Sequence, residues 1–138
     1  MSGIDVACGS FHGEDKSCSA LEGVVQALRD RLELGSPASA SLDRLEAVVA
    51  QPVNEFGLSA RDAAALFPFF KAYFEDLRAK LGNPSPEEGP DIDFQRGGDQ
   101  VAAKCGEGRG WRLLCLYDLC RACEASSVTG KPVNFARW

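Results

Sequence analysis

The two ends of the chain show the hydrophobic pattern of short strands. Near the start, the larger apolar side chains Ile4, Val6 and Cys8 alternate with smaller or polar neighbours, which is the two-residue period of a half-buried strand. Residues 133–138 alternate in the same way after the turn at residues 129–132. We therefore expect the two terminal strands to pair with each other, or to join one small sheet beside the helices.

The first helical pattern predicts a helix over about residues 19–34. Ser19, with Glu22 three residues later, matches a capping box, in which each side chain satisfies a free backbone N–H. Gly35 and Pro37 predict the stop, because Gly tolerates the left-handed conformation after a helix and Pro cannot continue one. The apolar positions at helical spacing are Leu21, Val24, Val25, Leu28 and Leu32.

Two more helices are predicted before the middle of the chain ends. Ser41 is a candidate cap for a shorter helix that Pro52 ends. Ser59, with Asp62 three residues later, is a cap-like start that leads into Ala-rich sequence of high helix propensity.

This third helical pattern contains a proline. Pro68 removes one helical hydrogen bond and clashes with the preceding turn, so a kink or a break is expected near residues 66–68. The aromatic stripe beyond it predicts either core or a partner-binding face, and stripes with this spacing usually face inward. Its members are Phe70, Tyr73, Phe74, Leu77 and Leu81.

A last helix is predicted over about residues 111–126. Its first half is apolar on nearly every side, which is typical of a central, buried helix. The whole pattern predicts a mainly helical α+β fold, with four to five helices and a small antiparallel sheet formed by the N- and C-terminal strands. We expect residues 1–138 to form a single compact domain, with a long acidic loop at about residues 83–98 and a short helical turn at residues 100–105.

Composition and charge narrow the possible functions. The chain has 138 residues, of which 45% are hydrophobic and 25% charged, so it can bury one ordinary core. Its formal net charge of −5 argues against nucleic acid and against anionic membranes, since both bind Lys and Arg. The sequence shows neither a secretory signal nor an apolar run long enough to span a bilayer. A cytoplasmic protein with free, packed thiols is therefore expected.

The acidic loop is the main candidate for binding. Its residues 83–98 include three prolines and three glycines, and loops of this length are usually functional or mobile. We expect a protein partner with a basic surface, which an acidic protein attracts electrostatically. Small cytoplasmic inhibitors of basic nucleases or toxins, the immunity-type proteins, share this size and charge, although no motif supports the comparison. The predicted partner-binding residues are Glu87, Glu88, Asp91 and Asp93.

The alternative is a thiol-based metal-binding or redox module. The chain contains six cysteines, and Cys120-x-x-Cys123 is their one close pair. That pair falls late in its predicted helix, where the helix dipole raises a thiol pKa, whereas redox pairs lie at helix N-termini. A structural zinc site needs four ligands. Further ligands would have to come from weak spacings: Cys105 with Cys115, or Cys8, His12 and Cys18.

Other chemistry is weakly indicated. His12 is the only histidine, on a predicted loop, so a small enzyme that depends on histidine would have to use it. The glycines at 106, 108 and 110 have neither dinucleotide nor P-loop spacing, although Arg109 and Arg112 offer an anion site at the start of the last helix. No pattern predicts catalytic residues, a resident metal or a cofactor.

Overall fold

The computed structural model describes residues 3–13, 16–32, 37–49, 55–85 and 109–137. This part of the chain forms four helices and one antiparallel sheet of five strands, so the mainly helical α+β prediction is confirmed. The strands are β1 (Gly3–Cys8), β2 (Phe11–His12), β3 (Lys16–Ser17), β4 (Glu55–Leu58) and β5 (Val133–Arg137). The helices are α1 (Cys18–Arg31), α2 (Pro37–Val49), α3 (Ala60–Lys80) and α4 (Arg109–Thr129).

The predicted pairing of the two terminal strands is confirmed. β1 and β5 run antiparallel, with Val6 opposite Phe135, and both side chains are fully buried. The sheet also contains β4, a strand that the pattern did not predict, on the other side of β5. β5 therefore lies between an early strand and a middle strand of the chain.

A tight turn joins β1 to β2. Cys8 pairs with Phe11, so Gly9 and Ser10 are the two turn residues, and Gly9 has φ +60°, a conformation that glycine adopts without steric cost. His12, predicted on a loop, instead lies in β2 opposite Ala7.

The start of α1 and the start of α2 both differ from the prediction. α1 begins at Cys18, so Ser19 lies inside the first turn and is not the cap. α2 begins at Pro37, because proline suits the first turn of a helix, where its missing N–H costs nothing. Ser41 is therefore inside α2, and its buried hydroxyl bonds to Asp62 of α3. A tertiary contact has replaced the predicted cap.

The start of α3 follows the sequence closely. The hydroxyl of Ser59 accepts a hydrogen bond from the backbone N–H of Asp62 at 3.2 Å, so this cap is confirmed. The helix is not broken at Pro68. Pro68 and Ala64 are both exposed, so water can solvate the carbonyl that loses its helical partner. The aromatic stripe is largely core, as Phe70 is fully buried.

The last helix, α4, is central, as predicted. It packs against α1, α3 and the sheet. Because neighbours surround it, residues on nearly all of its sides are buried, including Leu113, Leu116 and Leu119. α4 runs antiparallel to α3. Phe74 of α3 contacts Tyr117 of α4. Lys71, three residues before Phe74, is close enough to affect the pKa of Cys120, three residues after Tyr117.

Candidate functional site

The predicted partner-binding acids lie outside the residues that the structure describes. Glu87, Glu88, Asp91 and Asp93 belong to residues 86–108, as does the turn expected at residues 100–105. The structure does describe both ends of this segment. Residue 85 follows α3, and residue 109 begins α4. Since these two helices are antiparallel neighbours, both ends lie at the same end of the helix pair.

The exit from α3 is fixed by the chain itself. Gly82 and Asn83 have φ values of +88° and +56°, which turn the backbone away from the helix axis. The Nε of Arg78 then donates to the carbonyl of Pro84 at 2.8 Å. The following 23 residues, 86–108, connect adjacent helix ends that a few residues can bridge.

The acidity of the protein is not shared evenly along the chain. The whole chain has a formal net charge of −5. Residues 86–108 contain six acids and two bases, a net charge of −4. This one stretch of the sequence therefore carries most of the net negative charge.

Acids on the framework are paired with arginines that join the helices. Arg29 of α1 holds both Asp43 and Glu46 of α2, at 2.8 and 2.6 Å. Arg31 of α1 pairs with Asp76 of α3. These pairs are largely exposed, and each contributes little to stability. Each pair engages a carboxylate on a neighbouring helix.

The most strongly held carboxylate is Asp62, at the junction of α2 and α3. It accepts from the Nε and Nη2 of Arg44 at 2.8 and 2.6 Å and from the hydroxyl of Ser41 at 2.8 Å. The hydrogen bonds from Arg44, with those from Ser41 and Ser59, lower the pKa of Asp62 to about 2 although burial opposes this. A carboxylate held in this way is a structural anchor and a poor general base at neutral pH.

The described thiols are buried, as predicted. Cys8, Cys115, Cys120 and Cys123 are buried and do not form disulfides. Burial, helped by the negative charge of Glu124, raises the pKa of both Cys120 and Cys123 to about 12. The direction agrees with the sequence argument, but burial is the larger cause, ahead of any effect of the helix end. These two thiols are therefore protonated and unreactive at neutral pH.

The structure describes the side chains of only some of the metal ligands that the sequence suggested. The Sγ of Cys8 donates to the carbonyl of Lys131 at 3.7 Å. Cys105 and the side chains of His12 and Cys18 lie outside the described residues. Within the described part of the chain, no group of three His, Cys, Asp or Glu side chains comes together to hold a metal ion.

A buried carboxylate that the sequence gave no reason to select lies next to β2. Asp118 of α4 is 3% exposed. A methyl group at Gly13 would lie 2.6 Å from its Oδ2, so only glycine allows the chain after His12 to approach α4 this closely. Asp118 therefore helps to fix the end of the β1–β2 hairpin on the helix.

Arg109 and Arg112, at the start of α4, lie in different surroundings. Arg109 is exposed. Arg112 packs sideways on α1, where a methyl group at Gly23 would lie 3.2 Å from its Nη2. This packing separates Arg112 from the anion site that the sequence suggested at the N-terminus of the helix.

Sequence analysis missed a cluster of aromatic rings around Arg121. The guanidinium carbon of Arg121 lies 5.6 Å from the ring centre of Phe11 and 5.7 Å from that of Tyr117. Its Nη1 donates to the Tyr117 hydroxyl at 2.9 Å. The only signal in the sequence was the four-residue spacing of Tyr117 and Arg121, which places both on one face of a helix.

Comparison with known proteins gives no relative. No family model, no curated protein and no solved structure matches this chain. None of the helices described here is both long enough and apolar enough to cross a membrane. The assignment of function therefore rests on the chemistry of the chain itself.

Proposed function

We propose that this protein is a non-catalytic binding protein, which engages a basic surface on a protein partner through Glu87, Glu88, Asp91 and Asp93. The observation that carries the proposal is the charge of residues 86–108, whose net −4 is most of the formal −5 of the whole chain. We further propose that it acts in the cytoplasm as a small inhibitor of the immunity type.

Physical reasoning supports this assignment. Charges of one sign that are gathered on a long connection attract a surface of opposite sign and speed its association by about 10- to 1,000-fold. Three described acids contribute less to such attraction, since Asp43, Glu46 and Asp76 already face arginines. Among the described groups that an enzyme or redox module could use, Asp62 is ion-paired, and the Cys120 and Cys123 thiols are protonated.

The test compares two variants that change the net charge by the same amount. In the loop variant, Glu87→Gln, Glu88→Gln, Asp91→Asn and Asp93→Asn remove four negative charges. In the control, Glu22→Lys and Asp30→Lys change the charge equally at two exposed positions of α1. Each tagged protein is used to capture partners from a native lysate, and the captured proteins are identified by mass spectrometry.

We expect the wild-type protein and the control to capture the same basic protein, and the loop variant to lose it. With that partner purified, the association rate constant at low salt should fall about tenfold or more for the loop variant. The control should stay within about twofold. An acidic partner, or equal rate constants for the loop variant and the wild-type protein, would contradict the proposal.

A further inference from the structure

The arginine cluster on α4 forms a surface of its own. We call it the Arg121 patch and define it by Phe11 of β2, Phe74 of α3, and Tyr117 and Arg121 of α4. Arg121 is exposed, and the three rings are partly exposed. The rings of Phe74 and Tyr117 lie 6.0 Å apart and are tilted by 36°, so the patch is continuous from α3 across α4 to the sheet.

Arg121 differs from the arginines that join the helices. Arg29, Arg31 and Arg44 each face a carboxylate. Arg121 bonds instead to a neutral hydroxyl and lies near two rings. Within the part of the chain that the structure describes, it forms no ion pair. Its remaining N–H groups therefore retain their capacity to bind an anion from another molecule.

The rings hold this arginine in a fixed position. Contacts with Phe11 and Tyr117 restrict the conformations of Arg121, so it loses less rotamer freedom when it binds an anion. Partly exposed rings beside it offer an apolar surface. Arginine and tyrosine with apolar neighbours are the residues that dominate the affinity of protein interfaces.

Charges of both signs border the patch. Three charged residues affect the pKa of Cys120, which precedes Arg121 in the chain: Lys71 and Glu75 of α3, and Glu124 of α4. Lys71 and Arg121 together balance Glu75 and Glu124 in charge, so these residues attract no ligand by a long-range field. Recognition must then rest on direct contact with the Arg121 guanidinium, which pairs best with a planar carboxylate.

We propose that the Arg121 patch docks an acidic segment of a protein partner, with an Asp or Glu carboxylate on Arg121 and an adjacent apolar side chain on the rings of Phe74 and Tyr117. This site differs from the one in the proposed function, because it binds the opposite charge. Arg121 lies twelve residues along α4 from Arg109, a distance of about 18 Å.

The test uses a library of random peptides displayed on phage and selected on the full chain. We expect the enriched peptides to carry Asp or Glu next to a large apolar residue. A synthetic peptide of the consensus sequence should bind Arg121→Gln at least about tenfold more weakly than the wild-type protein. Arg121→Lys should also lose affinity, since lysine keeps the charge but not the planar fork.

The matched control is Arg61→Gln, which removes the same charge at an exposed position of α3. It should bind the peptide within about twofold of wild type, as should the loop variant described above. Enriched peptides without an acidic residue, or equal affinities for Arg121→Gln and Arg61→Gln, would overturn the proposal. Self-association that Arg121→Gln abolishes, measured by sedimentation, would also overturn it, because the occupant would then be a second copy of the chain.

Discussion

Cys120 and Cys123 are expected to alkylate about a thousandfold more slowly in the folded protein than in the unfolded chain at the same pH. The thiolate is the nucleophile. Burial raises the pKa of both thiols from 9.0 to about 12, so the thiolate fraction falls about tenfold for each pH unit of the shift. Exclusion of the reagent by the surrounding side chains slows the reaction further.

The rates are measured with iodoacetamide, and the modified peptides are resolved by mass spectrometry. The unfolded reference is the same protein in guanidinium chloride. Val128→Cys supplies an exposed thiol on the same helix, since Val128 is 86% exposed. Either native thiol reacting within about tenfold of that control would favour the thiol-based alternative and remove one support of the non-catalytic proposal.

Asp62→Asn is expected to lower the free energy of unfolding by about 2 kcal/mol at neutral pH. The pKa of Asp62 falls from 3.8 to about 2 on folding, and each pH unit corresponds to about 1.4 kcal/mol. Asparagine keeps the shape of the side chain but not its charge. One of the donors on Arg44 or Ser41 is then left without an ionic acceptor at the α2–α3 junction.

The same pKa shift fixes the pH dependence. Because folding lowers this pKa, the contribution of Asp62 is fully present above about pH 4 and disappears as the pH falls through about 2. Urea unfolding at neutral pH and near pH 2 checks this. Asp30→Asn on the exposed face of α1 should change stability by less than about 0.5 kcal/mol. A deficit of Asp62→Asn that is equal at both pH values would show that its charge contributes nothing.

The terminal strands and the long helices could be predicted from the local sequence, because buried positions recur at a regular spacing in each kind of element. β4 could not. Its four residues, Glu55–Leu58, include Gly57, which weakens strand propensity. It is a strand because Gly57 and Leu58 pair with Asn134 and Val133, far along the chain. A pairing of this range leaves no trace in the sequence near residue 57.

The helix starts show how one residue type serves two roles. Pro37 ends one pattern and begins the next, and only the position of α2 decides between them. The Ser41 hydroxyl could cap a helix, but it donates a hydrogen bond to Asp62 instead. The sequence predicted Ser59 correctly as a cap because its partner, Asp62, is local.

The two candidate sites also differ in whether their residues are neighbours in the sequence. The acidic segment is visible in the sequence because its charges are neighbours. The Arg121 patch depends on Phe11, which lies 110 residues away and reaches Arg121 only through the pairing of β2 with β1. Cation–π contacts of this range require the tertiary fold.

The position of β5 has a consequence for the order of assembly. β5 is inserted between β1 and β4. Until residues 133–137 arrive, β4 therefore has no partner among the described strands, and β1 pairs only with β2 and β3. Closing a loop that spans nearly the whole described chain is slow, whereas antiparallel helix neighbours meet early. We expect the helices to gather first and the sheet to close last, so a nascent chain that lacks residues 133–137 exposes two unsatisfied strand edges to chaperones and proteases.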